Sequence, residues 1–169
     1  TNVTEYVGKD SKFIHQGMTS SDVLDTCLSV QLQNSSKIII SSLKRLLLSL
    51  KKKALDNKSL ITIGRSHGIH AEPTTIGLKF AYAYAEFKRN LKRLEIAQKE
   101  IAIYKISGPV GTYSSISPSV EDYVAKKLGL KSENVSTQII PRDRHAAFFS
   151  AISILAGSID RLATEIRHL

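Results

Sequence analysis

Residues 21–56 read SDVLDTCLSVQLQNSSKIIISSLKRLLLSLKKKALD, and the spacing of their apolar side chains decides the fold class. The apolar residues recur at intervals of three and four, which is the period of one face of an α-helix. They are Leu24, Leu28, Leu32, Ile39, Leu43, Leu46, Leu47 and Leu50. A hydroxyl side chain of Thr19, Ser20 or Ser21 is placed to cap this helix. The stretch therefore predicts one amphipathic helix from Ser21 to about Asp56, about 50 Å long at 1.5 Å per residue.

Three further helices are predicted from the same periodicity. A second long helix is expected from Pro73 or Thr74 to Tyr104, a short one from Pro118 to Leu128, and a last one from Arg142 or Asp143 to Leu169. Gly129 stands just past the short helix, where a left-handed residue commonly ends one. The only extended stretch is Leu60 to Ile63, so we predict an all-α protein built as a bundle of long helices.

The bulk composition bounds the class of protein. With 169 residues and 42% hydrophobic side chains, the chain is expected to fold with a buried core. It has no apolar run of about 18 residues and no charged-then-apolar beginning, so neither a membrane span nor a signal peptide is expected. The single cysteine, Cys27, excludes an internal disulfide. We interpret Cys27 as a small buried side chain in a reducing compartment, which favours the cytoplasm.

The net charge of +9 raises the alternative of a nucleic-acid-binding protein. Most of the excess charge lies at helical intervals among apolar residues, as from Lys88 to Arg93, which is typical of a solvated helix face. RNP, zinc-finger and KH patterns are absent from the sequence. A basic helical bundle with Lys51–Lys53 and Lys88–Arg93 as its footprint stays the non-enzymatic alternative, and we expect no nucleic-acid or membrane partner.

Four polar clusters stand in or next to the breaks between helices, at residues 15–22, 65–75, 108–115 and 137–145. The densest stretch, GRSHGIHAEPTT at 64–75, is interrupted by two glycines and a proline. We interpret it as a polar loop that leads into the second long helix. The hydroxyls before the first long helix are placed either to cap it or to attract an anion to its positive end.

The polar loop carries the side chains best suited to proton transfer. His67 and His70 have a spacing that can share a metal, but the four evident ligands of a structural zinc site are missing, so we predict no metal. A histidine beside Arg65 and Ser66 suits general acid–base chemistry better, since the unperturbed pKa of histidine lies near neutrality. A Ser-His-Asp hydrolase would require a Gly-x-Ser-x-Gly turn, which the sequence lacks.

Three stretches carry a resemblance that runs in order over essentially the whole chain. They are FIHQGMTSSDVLDT at 13–26, GRSHGIHAEPTTIG at 64–77 and QIIPRDRH at 138–145. These stretches resemble the fumarase and aspartase superfamily. The HAEPTT form at 70–75 is similar, within that superfamily, to the adenylosuccinate lyases.

The resemblance implies a β-elimination that releases fumarate from adenylosuccinate to leave AMP, and from the related succinyl-carboxamide intermediate of purine synthesis. It implies no metal or organic cofactor. His67 matches the catalytic histidine, the general acid toward the leaving purine nitrogen, and His70 is expected to be structural. The implied substrate-binding residues are Thr19, Ser20, Gln138, His15 and Ser66. A sister lyase, such as the cycloisomerase that handles carboxymuconate, is the alternative enzyme.

The departures from the family pattern bound this expectation. The family's catalytic serine lies in a mobile loop reading roughly Ser-Ser-x-Met-Pro-x-Lys-x-Asn, which is not found in residues 1–169. We therefore expect a fragment, inactive by itself, with residues 1–20 ending the N-terminal domain and residues 21–169 forming most of the central helical domain. The long apolar stripes predict self-association, and the resemblance implies a homotetramer whose active sites are each built from several subunits.

Overall fold

The structure, a computed structural model, describes residues 2–169 and is dominated by α-helices. Its elements in chain order are α1 (Asn2–Val7), a 3-10 helix (Gly8–Phe13), α2 (Ser20–Asp56), β1 (Ile61–Ser66), β2 (Ile69–Thr75), α3 (Ile76–Glu100), β3 (Ile103–Tyr104), α4 (Pro118–Leu128), β4 (Lys131–Ser132) and α5 (Asp143–Arg167). The predicted helical architecture is confirmed. The long helix α2 ends at Asp56, as its apolar period predicts, and begins one residue earlier than expected.

The polar stretch 64–75 is not the predicted loop but most of a β-hairpin. β1 and β2 pair antiparallel, and the pairing runs up to Ser66 opposite Ile69. His67 and Gly68 form the two-residue turn, with φ angles of 54° and 76°. Two consecutive left-handed residues give a turn whose twist matches that of the flanking strands. The hairpin therefore presents His67 at its tip.

Gly64 and Pro73, which suggested a loop, have specific places in the strands. The pairing shifts register between Ile63 and Arg65, which marks a β-bulge. A Cβ on Gly64 would lie 2.7 Å from the carbonyl oxygen of Glu72, so the backbones approach too closely for another residue. Pro73 stands opposite Ile63 in this two-stranded sheet, where every strand is an edge that tolerates proline.

The second long helix is shorter than predicted at both ends. Helix α3 begins at Ile76 because residues up to Thr75 belong to the hairpin, and it ends at Glu100. Ile103 and Tyr104 leave the helical period to pair in parallel with β4. The short helix α4 agrees with its prediction, since Ser117 caps its start and Gly129 ends it with a φ of 65°.

The described chain divides into two compact units, and α2 contributes to both. The first unit contains the described residues up to Asn34 together with Glu100–Arg144. The second contains Ser35–Lys99 and His145–Leu169. The expected boundary at residue 20 between an N-terminal and a central domain stays a prediction.

Within the second unit, α2, α3 and α5 bury one apolar face each. The buried apolar residues of these helical parts are Ile40, Leu43, Leu47, Leu50, Ala83, Phe87, Leu94, Ala97, Phe148, Leu155 and Leu162. Polar contacts add direction to this packing. Asn90 donates a hydrogen bond of 2.7 Å to the Ser158 hydroxyl, and that hydroxyl donates one of 2.8 Å to Glu86. Helix α5 is thereby fixed against α3.

Helix α5 bears on the expectation that the chain has no membrane span. Among the described helices it is the one long and apolar enough to cross a membrane by length and composition, with a mean hydropathy of 1.4 in its most apolar window. About 22% of that window is buried, and the core helix of a soluble protein can also pass this test. Polar contacts place α5 against α3. They are the hydrogen bonds of Ser158 and the ion pairs of Arg161 with Glu86 and of Glu165 with Lys79.

Within the first unit, the first turns of α2 bury polar rather than apolar side chains. Asp22, Asp25 and Ser29 are at most 3% exposed, and their spacing of three and four places them on one face. Leu24, predicted to be part of the apolar stripe, is 64% exposed because it lies on a different face. The same helical geometry exposes Cys27, so its interpretation as a buried side chain is wrong.

Candidate functional site

Three of the four polar clusters meet in the first unit at the start of α2. At Gly17, with a φ of 71°, an added Cβ would lie 2.1 Å from the carbonyl oxygen of Ser115. At Gly111, with a φ of 79°, an added Cβ would lie 2.1 Å from the carbonyl oxygen of Ser136. Only glycine combines a left-handed backbone with such close approach. The two glycines therefore allow the three loops to touch.

Asp22 connects the start of α2 to the loop that follows β3. Its fully buried carboxylate accepts hydrogen bonds from the backbone amides of Thr19 at 2.9 Å, Ser107 at 3.3 Å and Gly108 at 3.2 Å. The Asp22 amide in turn donates to the Thr19 carbonyl oxygen at 3.1 Å. This reciprocal pair satisfies amides that a helix start leaves free.

Lys105 is fully buried and pairs with Asp22. Its Nζ also donates to the carbonyl oxygen of Gly108 at 3.0 Å and to that of Gln138 at 3.5 Å, so each of its three protons has an acceptor. The Thr26 hydroxyl holds the backbone of Lys105, donating to its carbonyl oxygen at 3.3 Å. A buried ammonium is tolerated only when it is paired and hydrogen-bonded in this way.

Asp25 attaches the third loop to α2. Its carboxylate accepts a hydrogen bond of 2.9 Å from the Ile140 amide and one of 2.7 Å from the Arg142 guanidinium. The Asp25 side chain is 4% exposed and that of Arg142 is 46% exposed. Two carboxylates one helical turn apart on α2 thus hold two different loops.

A third buried carboxylate, Glu121 of α4, is hydrogen-bonded to the segment that follows β3. It accepts hydrogen bonds from the Ile106 amide at 2.8 Å and from the Tyr113 hydroxyl at 2.6 Å. The Tyr104 hydroxyl donates to the Glu121 carbonyl oxygen. The hydrogen bond to Glu121, followed by burial, raises the pKa of Tyr113 to about 12, and burial with the Glu121 charge raises the pKa of Tyr104 to about 12. Both phenols therefore stay protonated donors even near the ordinary tyrosine pKa of 10.0.

The structure brings together two of the residues predicted to bind substrate. The Gln138 amide donates a hydrogen bond of 2.8 Å to the Thr19 hydroxyl. Ser20, the first residue of α2, is exposed beside Thr19, and Gln138 is exposed as well. His15 is exposed in the turn that leads into α2, where its carbonyl oxygen accepts the Met18 amide.

His67 and Ser66 lie in the second unit, exposed at the tip of the hairpin. His67 shares an uncommon backbone state with His15. Among the described residues, three that are not glycine have a positive φ, namely His15 at 64°, His67 at 54° and Tyr113 at 56°. Such strained positions cluster at functional sites. Two of the three are residues that the sequence pattern singles out.

A cavity of about 430 Å³ lies in the second unit where the hairpin meets α3 and α5. Its charged and aromatic lining residues are Arg65, Lys79, Tyr82, Arg161 and Glu165. The Arg161 guanidinium lies 4.7 Å from the centre of the Tyr82 ring. Although burial raises the pKa of Glu86, hydrogen bonds from Arg161 and Ser158 hold it below its ordinary value.

No group of three or more His, Cys, Asp or Glu side chains in residues 2–169 is arranged to hold a metal ion.

The sequence pattern does not predict that Asp22, Asp25 and Lys105 join the loops at the start of α2. Asp22 and Asp25 look like acidic residues that favour a helix start, and their spacing of three from each other and four to Ser29 is the only signal of a buried polar face. Nothing in the pattern singles out Lys105. Its partner Asp22 is 83 positions away in sequence.

Comparison with known proteins places the whole chain in one family. The sequence profile of a family described as Lyase matches residues 1–169. The adenylosuccinate lyase of Thermotoga maritima is 52% identical over 163 residues, which are 96% of this chain and 38% of that protein. The chain spans about two fifths of the length of the curated relatives it matches.

Solved structures share the fold along nearly the whole chain. A fumarate lyase from Mesorhizobium sp. BNC1 superposes with a TM-score of 0.90 at 27% identity, covering 98% of this chain and 40% of that one. The 3-carboxy-cis,cis-muconate lactonizing enzyme from Pseudomonas putida gives a TM-score of 0.88 at 26% identity, covering 96% of this chain and 37% of that one. Both are members of the fumarase and aspartase superfamily, which confirms the predicted fold class.

Proposed function

The chain belongs to the lyase family, and from this premise we propose that it forms part of an adenylosuccinate lyase. The reaction is a β-elimination that breaks the bond between carbon and the purine nitrogen of adenylosuccinate, releasing fumarate and leaving AMP. The same chemistry acts on the succinyl-carboxamide intermediate of purine synthesis. The observation that carries the proposal is the Thr19–Gln138 pair at the start of α2, in a chain 52% identical to an adenylosuccinate lyase.

The start of α2 suits a carboxylate of the succinyl group. The Thr19 hydroxyl accepts a hydrogen bond from the Gln138 amide, so its own proton is available for donation to an anion. Ser20, which is exposed, adds a second hydroxyl at the positive end of the helix dipole. Backbone amides and hydroxyls at a helix start stabilise an anion without any metal ion. We assign Thr19, Ser20 and Gln138 to substrate binding.

His67 is assigned the general acid. Elimination develops negative charge on the departing purine nitrogen, and a positioned proton donor lowers that barrier. The exposed tip of a hairpin, beside Ser66, leaves the imidazole free to meet a substrate. Ser66 and His15 are assigned to substrate binding as well. The base that removes the proton from carbon is assigned to a part of the protein outside residues 1–169.

A homotetramer in the cytoplasm is the proposed state of the protein. Apolar side chains stand exposed along the helices of the second unit, among them Ile38 at 70%, Leu48 at 69% and Ile159 at 51%. A groove of about 130 Å³ is lined by Ile39, Ser42, Leu43, Leu46, Leu155 and Ile159. Covering such faces with further copies of the chain removes apolar surface from water.

A choice of substrates tests this function. The protein encoded by the complete reading frame that contains this chain is supplied with adenylosuccinate or with 3-carboxy-cis,cis-muconate. We expect fumarate from adenylosuccinate and no change in the muconate. Lactone formation from the muconate without fumarate release would favour the sister cycloisomerase, to which the chain is similar in fold.

A further inference from the structure

The buried pair of Lys105 and Asp22 contacts the proposed carboxylate-binding residues: Asp22 accepts the Thr19 amide, and Lys105 donates to the Gln138 carbonyl oxygen. We infer that Lys105 is a positioning residue whose charge cancels that of Asp22, so that the start of α2 receives a substrate carboxylate. This inference rests on the proposed function. It concerns a lysine that no sequence motif singles out and that lies out of reach of solvent.

The electrostatic problem comes from the position of Asp22. Its carboxylate lies in the first turn of α2 and takes up the amides of Thr19 and Gly108, so a full negative charge already occupies the positive end of the helix. A second anion placed at Thr19 and Ser20 would be repelled by this buried charge. An opposite charge on Asp22 removes that repulsion.

Among the charged residues around Asp22, Lys105 is the one placed to offset its negative charge. Asp25, one turn further along α2, is paired with Arg142, so it leaves no net charge. Glu121 faces the loop through the Ile106 amide and the Tyr113 hydroxyl and adds negative charge. Lys105 is therefore the cation that offsets the charge of Asp22.

Lys105 also contacts the backbone of Gln138. The same Nζ that pairs with Asp22 donates to the carbonyl oxygen of Gln138 at 3.5 Å, while the Gln138 side chain reaches the Thr19 hydroxyl at 2.8 Å. The Lys105 ammonium thus contacts the backbone of Gln138 and the carboxylate of Asp22. That carboxylate in turn accepts a hydrogen bond from the amide of Thr19. Neither contact requires Lys105 to touch the substrate.

Uncharged substitutions of Lys105 and Asp22 show whether Lys105 acts through its charge or only through packing. In the protein of the complete reading frame, Lys105→Met leaves Asp22 as an unpaired buried anion, so KM for adenylosuccinate should rise about 10-fold or more, with a smaller change in kcat. Asp22→Asn leaves a cation behind the site, so KM should stay within about 3-fold of wild type or fall. Lys51→Met, at an exposed lysine of α2, is the control and should leave KM unchanged.

The double variant Lys105→Met with Asp22→Asn removes both charges and should return KM to within about 3-fold of wild type. If Lys105→Met fails to fold, Asp22→Asn and the double variant decide the question. An equal rise in KM for Asp22→Asn and Lys105→Met, or a double variant as impaired as Lys105→Met, would overturn the inference. A wild-type protein that releases no fumarate would instead overturn the proposed function, and this inference with it.

Discussion

His67 and His70 stand three residues apart on one hairpin, yet only His67 sits in its turn. We expect His67→Ala to lower kcat about 100-fold or more while KM changes little, because a general acid acts in the transition state. His70→Ala, on the adjoining strand, is the matched control and should keep kcat within about 3-fold of wild type. Steady-state kinetics of the complete protein measures both. Equal losses in the two variants would remove the special role of His67.

Tyr113 links its ionisation to the stability of the first unit. Its pKa is raised to about 12 by the hydrogen bond to Glu121 and then by burial, so the folded state favours the protonated phenol. The stabilisation is complete below the ordinary tyrosine pKa of 10.0 and is lost as pH rises toward 12. Urea unfolding should therefore show a smaller loss of unfolding free energy between about pH 9 and 11 in Tyr113→Phe than in wild type. Tyr123→Phe, at an exposed tyrosine, should lose as much as wild type.

The individual residues differ in how far the sequence predicts them. Thr19 and Gln138 are expected to act together because of motif resemblance, and they are hydrogen-bonded. Lys105 and Arg142 bind α2 from 83 and 117 positions away, and no local pattern carries information about partners at that distance. A polar face that is buried by such partners looks, in sequence, like a solvated one.

Helices and turns are predictable where the local pattern agrees with the tertiary environment. Helix α4 shows this, since the hydroxyl of Ser117 and the left-handed Gly129 are caps that act within one turn. The hairpin at 61–75 is not predicted because its strands are short and its turn is His67-Gly68 rather than the common Asn-Gly or Asp-Gly. Glycine and proline then indicate a loop when they in fact mark a bulge and an edge strand.

Two glycines with similar backbone angles should respond differently to alanine. Gly111 and Gly129 both have a positive φ, but an added Cβ meets the Ser136 carbonyl oxygen at 2.1 Å in the first case and nothing within 4 Å in the second. Gly129→Ala should cost about 1 kcal/mol of unfolding free energy from the left-handed backbone alone. Gly111→Ala should cost about 3 kcal/mol or more, since the loops must also separate. Denaturant unfolding measures the difference, and equal costs would contradict the close contact of the loops.

At the scale of the whole molecule, large apolar side chains stand exposed on the helices of the second unit, among them Ile38, Leu48 and Ile159. Light scattering during gel filtration of the complete protein should give the mass of a tetramer. Ile159→Asp, in the groove lined by α2 and α5, should lower that mass by placing a charge in an apolar interface. Val135→Asp is the control, because Val135 is 80% exposed in the other unit, and it should leave the mass unchanged. A wild-type monomer at micromolar concentration would contradict the proposed assembly.

The residues assigned to the proposed reaction are divided between the two units. The proposed acid, His67, lies in the second unit, whereas Thr19 and Gln138 lie in the first. Family membership and 52% identity to an adenylosuccinate lyase join them in one proposed function. The reaction with adenylosuccinate therefore tests the proposed function.

The time course of product formation from adenylosuccinate by the protein of the complete reading frame provides that test. Chromatography of samples taken during the reaction quantifies fumarate and AMP together. We predict that the two products appear in equal amounts from the first time point, because one elimination releases both. Substrate that stays intact, or AMP that forms without fumarate, would contradict the assignment of adenylosuccinate lyase activity.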